Sequence, residues 1–123
     1  MGHVKALLDT NILIDYLNGE EAAREEIHRY ERPMISTITW MEVMAGVEED
    51  ERRPVQSFLS RFSQVPIDTN VAEIAVSIRR NHRIRLPDAI IWASAKQQDA
   101  LLVSRNTKDF PADTPGVRVP YRL

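Results

Sequence analysis

Short apolar runs alternate with segments of helical periodicity along the whole chain, and this alternation most constrains the fold. The runs that indicate strands are residues 4–8, 34–36, 65–67, 100–104 and 117–119, the last at an edge because a proline follows. The helical segments between them are about 11–19, 20–30, 37–46, a helix opened by Pro54, 70–80 and 87–98. Strands separated by helices form βαβ units. We therefore expect one α/β domain over residues 1–123, in three α/β/α layers around a mainly parallel four- to five-stranded sheet.

Composition excludes several classes of protein. A chain of 123 residues with 43% hydrophobic content can bury the core of one domain. Its net charge of -2 gives no global basic field for nucleic acid, although local arginines could offset an acidic site. It has no cysteine, which excludes disulfides and thiolate metal sites. Without an apolar signal region or membrane-length apolar run, we expect a soluble cytoplasmic protein that does not enter a membrane.

Four acidic residues, Asp9, Glu42, Asp88 and Asp109, lie in or beside apolar stretches. An isolated charge is costly to bury unless it is paired or binds a cation. Carboxylates brought together would repel one another, and a hard divalent cation is the usual remedy. The pattern predicts a metal-dependent hydrolytic site, at the edge of the sheet where the parallel strands end.

Asp9 and Glu42 each have two interpretations. Asp9 follows the first strand and could cap the next helix, which alone would contribute about 1 kcal/mol. Glu42 shares a helix face with Ile38, Met41 and Ala45, which is an unexpected place for a merely solvating glutamate. It could instead lie on an edge-exposed helix or pair with an arginine. The functional interpretation requires both carboxylates to lie in one cleft with Asp88.

Asp88 lies beside Pro87 in what should be the first turn of a helix. There it would complement the helix dipole, which alone could explain an aspartate. It also precedes an apolar stripe made by Ile91, Trp92 and Ala95, and the same position would present the carboxylate to a metal.

Asn106 and Asp109 compete for a fourth position. Asn106 lies nearer the strand end and could offer an amide oxygen, whereas Asp109 carries the charge. Either could simply cap a turn. We expect ordinary solvated or capping roles for the other acidic residues considered: Asp15, Glu48, Glu49, Asp50, Asp68 and Asp99.

Several cations could contact an anionic substrate. Arg85 ends an arginine-rich stretch directly before Asp88, and Arg105 and Lys108 flank Asn106. We expect Arg85 and Arg105 to bind substrate phosphates. Arg79 and Arg80 are better explained as a solvated helix end. The three histidines lack metal-site spacing, which argues against a histidine-based zinc centre.

Taken together, the motifs resemble those of PIN-domain ribonucleases, specifically the VapC-type toxins of bacterial toxin–antitoxin modules. The matching segments, in the family's order and spacing over nearly the whole chain, are Leu8-Asp9-Thr10-Asn11, Met41-Glu42-Val43, Pro87-Asp88-Ala89 and Ser104-Arg105-Asn106-Thr107-Lys108-Asp109-Phe110. Each motif is weak alone, but four in register are specific.

The resemblance implies a PIN-like fold and an endoribonuclease that uses Mg²⁺ or Mn²⁺. By it, Asp9 and Asp88 correspond to the central metal-binding aspartates and Glu42 to the acidic residue on the intervening helix. The fourth acidic position falls within residues 106–109, and this chain has Asn106 where many members have aspartate. The resemblance also implies an RNA substrate, a homodimer, and an antitoxin whose segment lies across the active site.

Other classes fit less well. A phospho-receiver domain would have an acidic pair after its first strand, where Thr10 follows Asp9. A haloacid-dehalogenase-like phosphatase would have a second aspartate at the position of Asn11. A catalytically silent PIN domain that only binds its partners stays open, because Asn106 replaces a carboxylate.

Overall fold

The computed structural model describes residues 4–123, and within them five short strands form one parallel sheet in the order β3-β2-β1-β4-β5. The strands are β1 (Ala6–Leu8), β2 (Met34–Ser36), β3 (Ser63–Val65), β4 (Leu101–Val103) and β5 (Val117–Arg118). The helices are α1 (Thr10–Leu17), α2 (Glu21–His28), α3 (Thr37–Ala45), α4 (Arg52–Leu59), α5 (Thr69–His82) and α6 (Leu86–Gln97). A single 3₁₀ turn at Glu49–Glu51 precedes α4.

Helices cover both faces of the sheet, because alternate strand side chains point to opposite sides. Leu7 and Leu102 belong to an apolar cluster with buried side chains of α5 and α6. Leu8 and Val103 belong to a second cluster with buried side chains of α1, α3 and α4. The predicted three-layer α/β/α fold with a parallel sheet is confirmed.

Four of the five predicted strands have different limits in the structure: β4 and β5 are shorter than predicted by two residues and one residue, and the first and third differ as follows. The first begins at Ala6 rather than residue 4, and Val4 is 63% exposed. The third is Ser63–Val65 rather than residues 65–67, in register with Met34–Ser36. Pro66 has no N–H to donate to a ladder, which ends the strand there. Apolar character alone placed this strand two residues too late.

The helix starts are set by side chains at strand ends. The Ser36 hydroxyl accepts a hydrogen bond from the Ile38 N–H at 3.2 Å, so Ser36 caps α3. Asp9 caps α1. In both places the strand passes directly into the helix, so a polar side chain lies at the carboxyl edge of the sheet.

The second helix has a charged sequence, yet it buries Glu26. Arg118 of β5 donates to both Glu26 carboxylate oxygens, at 2.8 and 3.0 Å, and the Tyr30 hydroxyl donates to Oε2 at 2.6 Å. Burial raises the pKa of Glu26, but the bonds from Arg118 and Tyr30 outweigh it and hold the pKa below its ordinary value. This carboxylate is therefore a fully compensated structural charge.

The strand order positions a binding site. The chain leaves central β1 for β2 and β3, then returns to β1's other side with β4, so the order switches direction beside β1. Ligands of open parallel sheets bind beyond the carboxyl ends of strands at such a switch. The order also differs from the 2-1-3-4-5 arrangement of flavodoxin-like receivers, which removes the phospho-receiver alternative. None of the helices in the described residues is long and apolar enough to cross a membrane.

Candidate metal centre

A cleft of about 290 Å³ opens where β1 and β4 end and α6 begins. The described residues that line it are Asp9, Thr10, Asn11, Ile14, Glu42, Arg85, Asp88 and Asn106. It thus brings together the three predicted carboxylates, one of the two predicted arginines and one of the two candidates for the fourth position.

Asp9 is the most buried of these carboxylates, at 3% exposure. Its Oδ1 accepts the Thr10 N–H at 2.8 Å; its Oδ2 accepts the Ser104 hydroxyl at 2.6 Å and the Asn11 amide at 3.1 Å. Burial raises the pKa of Asp9 to about 6 against the bonds from Ser104 and Thr10, and the charges of Asp88 and Glu42 add to the rise. The capping role is confirmed, yet it leaves a costly charge, because Asp9 faces other carboxylates and is bonded to no arginine or lysine among the described residues.

Asp88 lies in the first turn of α6 and is 6% exposed. Burial raises the pKa of its carboxyl, the nearby charge of Asp109 adds to the rise, and Arg85 opposes it from 3.3 Å. The apolar stripe predicted behind it is confirmed, since Ile91, Trp92 and Ala95 are all buried. The helix therefore points an aspartate out of the core into the cleft.

Glu42 lies in the cleft, but not for the reason the sequence suggested. The face it shares with Met41 and Ala45 is exposed, while α3 buries Thr39, Val43 and Met44 instead. The carboxylate is held by the Thr10 hydroxyl, which donates to Oε1 at 2.6 Å. The stripe argument was wrong as a statement about burial, although the predicted location in the cleft is confirmed.

The fourth position is divided between Asn106 and Asp109. Asn106 lines the cleft, as its place after the strand suggested. Its amide nitrogen donates to Asp109 Oδ2 at 2.9 Å, and its amide oxygen accepts the Asp109 N–H at 3.2 Å. Asp109 therefore lies behind Asn106 as its partner, while its charge still acts on Asp88. Neither atom of the Asn106 amide is left without a protein partner.

Arg105 has a partner that the sequence did not indicate. It donates to both carboxylate oxygens of Asp15, at 2.7 and 2.9 Å, and the Tyr121 hydroxyl also donates to Asp15, at 2.8 Å. Asp15 is 5% exposed, so the expectation of an ordinary solvated or capping role for it was wrong. Arg105 is not among the residues that line the cleft, and the structure gives no support to the predicted contact with substrate.

Three polar residues in or directly beside the cleft were not predicted as site residues. Ser104 is fully buried and bonds to Asp9 and to the Asn106 N–H, so one hydroxyl joins two sides of the cleft. Thr10 and Asn11 orient Glu42 and Asp9 respectively. Their position directly after Asp9, and that of Ser104 directly after a strand, were the available signals.

A larger cavity, of about 610 Å³, lies at the opposite edge of the sheet, where β1 and β4 begin. Its lining residues are Val4, Lys5, Arg29, Tyr30, Glu31, Arg32, Leu101 and Arg118. This lining is mainly basic and apolar, so its chemistry does not suit a divalent cation. We place the candidate site by its carboxylates rather than by volume.

The side chains of the cleft do not form a complete cage of protein ligands around a hard cation. No three histidine or acidic side chains of residues 4–123 are placed so that they could hold one ion together. Mg²⁺, however, usually binds through one or two carboxylates and keeps several waters. Asp9 and Asp88 are two such groups, each destabilised by burial and by another carboxylate. Their chemistry fits a largely hydrated divalent ion better than a cage of protein ligands.

Comparison with known proteins gives a consistent result. A model of the PIN domain family matches residues 6–112. A Mycobacterium tuberculosis protein named Ribonuclease VapC19 is 32% identical over 124 residues, covering 94% of this chain and 98% of that protein.

Two solved structures extend the comparison. A toxin–antitoxin complex from Klebsiella pneumoniae aligns with a TM-score of 0.92 and 41% identity, over 97% of this chain and 100% of that one. DNA-bound VapBC from Salmonella typhimurium aligns with a TM-score of 0.76 and 28% identity, over 94% and 96% of the two chains.

Proposed function

The chain belongs to the PIN domain family, and from that premise we propose that it is the ribonuclease toxin of a toxin–antitoxin pair, hydrolysing RNA phosphodiester bonds with Mg²⁺ or Mn²⁺. The observation that carries the proposal is the pair of buried carboxylates, Asp9 and Asp88, facing each other and Glu42 in one cleft. Such an arrangement is costly to a protein without a cation and suits one that binds it.

Residues of the cleft have separate tasks in this proposal. Asp9 and Asp88 would hold the ion, and the bonds from Ser104 and Asn11 fix the orientation of Asp9. The bound ion would activate a water and neutralise charge on the phosphoryl oxygens. Glu42, oriented by Thr10, would position the attacking water by accepting its hydrogen bond.

The remaining contacts concern substrate and the far wall. Arg85, at the cleft mouth and mostly exposed, contacts a phosphate of the RNA. Asn106, with both amide atoms bonded to Asp109, forms part of the cleft wall and supplies no ligand to the ion. This arrangement needs no covalent intermediate.

The proposal includes an antitoxin partner. A groove of about 260 Å³ shares Ile14 and Glu42 with the cleft and continues along Leu17, Val43 and Val47. Ile14 and Leu17 are 41% and 39% exposed, which is unusual for such side chains side by side on one helix. An apolar antitoxin segment in this groove would reach the cleft and block it. The homodimer and the cytoplasmic location also stay predictions, which light scattering and fractionation would test.

One observation favours a second candidate, a PIN domain that binds its partners without cleaving RNA. Asn106 stands at the cleft where many PIN domains have aspartate, and its amide is used within the protein. Such a protein would bind RNA equally in the presence and absence of a divalent ion.

The test is cleavage of RNA by the purified protein in Mn²⁺, with Asp9→Asn and an exposed-site control, Asp50→Asn. We expect cleavage by the wild type and the control, and loss of cleavage in Asp9→Asn or in EDTA. Equal cleavage by wild type and Asp9→Asn would refute the nuclease assignment. Binding of RNA without cleavage by any variant would favour the second candidate.

A further inference from the structure

The guanidinium of Arg85 lies among the carboxylates of the cleft. Its Nε donates to Asp88 Oδ2 at 3.3 Å. That hydrogen bond, and the charges of Asp88, Glu42 and Asp109, raise the pKa of Arg85. A positive charge thus lies against one of the two carboxylates that the proposed function assigns to the metal ion.

The contact is weaker than the two bidentate arginine–carboxylate contacts of the described residues. Arg85 makes one long hydrogen bond and its side chain is 76% exposed. Arg105 and Arg118 each make two bonds of 2.7 to 3.0 Å, and their side chains are only 33% and 34% exposed. An exposed single-bond pair contributes little stability, so a divalent ion can displace it.

Arg85 also has no other structural duty in the described contacts. It occupies the N-cap position of α6, but its side chain makes no capping hydrogen bond. Its backbone is extended, with φ -63° and ψ 148°, which other residues adopt readily. A substitution there can change the charge of the cleft while the helix stays in place.

We propose that Arg85 is an exchangeable counter-ion, which pairs with Asp88 while no divalent ion is bound and turns to an RNA phosphate once the ion takes its place. The inference rests on the proposed function and assigns Arg85 two successive partners. A cation bound to Asp88 would repel the guanidinium of Arg85 at this distance. The released guanidinium then presents its planar fork, which matches the geometry of phosphate oxygens.

If Arg85 exchanges partners in this way, its removal changes metal affinity and RNA affinity in opposite directions. Removing Arg85 removes a competitor for Asp88, so metal affinity rises. The same change removes a phosphate contact, so affinity for RNA falls. An arginine that only bound substrate, or only stabilised Asp88, would produce one of these effects without the other.

The experiment measures Mn²⁺ binding by calorimetry without RNA, and RNA cleavage in saturating Mn²⁺, for wild type and Arg85→Gln. Arg83→Gln is the matched control, because it removes the same charge from an exposed residue two positions away that does not line the cleft. For Arg85→Gln we expect a Mn²⁺ Kd lowered about three- to fivefold, as for loss of an exposed ion pair. The KM for RNA should rise about tenfold with kcat nearly unchanged.

Arg85→Lys separates charge from geometry. It keeps the competing charge, so the Mn²⁺ Kd should stay near that of the wild type. It loses the planar fork, so KM should lie between those of wild type and Arg85→Gln.

Four results would overturn the exchange. They are an unchanged Mn²⁺ affinity in Arg85→Gln, weaker Mn²⁺ binding in it, an unchanged KM in saturating Mn²⁺, and equal shifts in Arg83→Gln. In each of them the wild type still binds Mn²⁺ and cleaves RNA, so the proposed function survives. A wild type that neither binds Mn²⁺ nor cleaves RNA would sink both.

Discussion

Two pairs of buried carboxylates lie in this protein under very different conditions. Asp15 and Glu26 each receive two hydrogen bonds from one arginine and a third from a tyrosine hydroxyl. Asp9 and Asp88 are equally buried but face each other, and their only close cation in the described residues is the exposed Arg85. We call the first two the compensated pair and the second two the cleft pair.

The difference shows that buried carboxylates can have different roles in one protein. The compensated pair ties chain segments far apart in sequence, since Arg105 lies 90 residues from Asp15 and Arg118 lies 92 residues from Glu26. The cleft pair makes one such link, between Asp9 and Ser104, which lie 95 residues apart, but no arginine or lysine among the described residues is bonded to Asp9. Its charge is therefore kept at an energetic cost, which is typical of a functional site.

The largest expected effect is on RNA cleavage, and it is measured by substituting one residue of each pair. Asp88→Asn should lower kcat/KM about a thousandfold, because a metal ion supplies roughly 4 kcal/mol of transition-state stabilisation. Asp15→Asn, assayed at a temperature where both proteins are folded, should lose far less. Steady-state kinetics in Mn²⁺ measure this, and similar losses in both variants would erase the distinction between the pairs.

The second effect is on stability, where we expect the compensated pair to matter more than the cleft pair. Asp15→Asn strands the Arg105 guanidinium, and breaking a buried pair costs about 3–5 kcal/mol. Because a third of the Arg105 side chain reaches solvent, we expect a loss of about 2 kcal/mol in the free energy of unfolding. Urea denaturation measures it, with Asp50→Asn as the exposed control. An unchanged midpoint would show that Asp15 is not a structural charge.

The third effect is a gain in stability when a charge that the proposed function requires is removed. The pKa of Asp9 is raised to about 6, so its charged form at neutral pH destabilises the metal-free protein. The shift bounds the gain for Asp9→Asn at about 3 kcal/mol, and the disturbed bonds to Asn11 and Ser104 reduce it to about 1 kcal/mol.

Thermal unfolding in EDTA and in Mn²⁺ tests this expectation. Asp9→Asn should melt above the wild type in EDTA, and Mn²⁺ should raise the melting temperature of the wild type only. A variant that melts below the wild type in EDTA would contradict the cost assigned to the cleft pair.

The smallest effect concerns pH. The folded pKa of Glu26 lies below its ordinary value of 4.5, so its pairing stabilises the protein above that value. The contribution is lost as pH falls through the folded pKa. The urea midpoints of wild type and Glu26→Gln should differ near neutral pH and approach each other as the pH falls below 4.5. Parallel curves would assign acid sensitivity to other groups.

The cleft pair could largely be predicted from the sequence, whereas the compensated pair could not. Asp9 and Asp88 stand where an apolar run ends or a helix begins, which marks a carboxylate at the edge of a parallel sheet. Asp15 and Glu26 lie inside charged or amphipathic helices, where an acidic residue needs no explanation. Their arginines are about 90 residues away, and no local pattern encodes such a partner.

Some correct expectations had incorrect grounds. Glu42 lies in the cleft although the helix face it shares with Met41 is exposed, because the Thr10 hydroxyl holds its carboxylate there. Apolar spacing on a helix indicates a shared face but not what covers it. The strand at Ser63–Val65 was misplaced for a related reason: its register depends on pairing with β2, and two of its residues are polar.

By itself the sequence determined the α/β alternation, the family resemblance and the edge of the sheet at which the carboxylates gather. These features depend on local order along the chain: strand, then polar residue, then helix. Only the tertiary structure decided which charges are compensated, because that depends on distance in space between residues remote in sequence. It gave Arg105 to Asp15, set Asp109 behind Asn106, and left Arg85 as the single exposed cation against Asp88 among the described contacts.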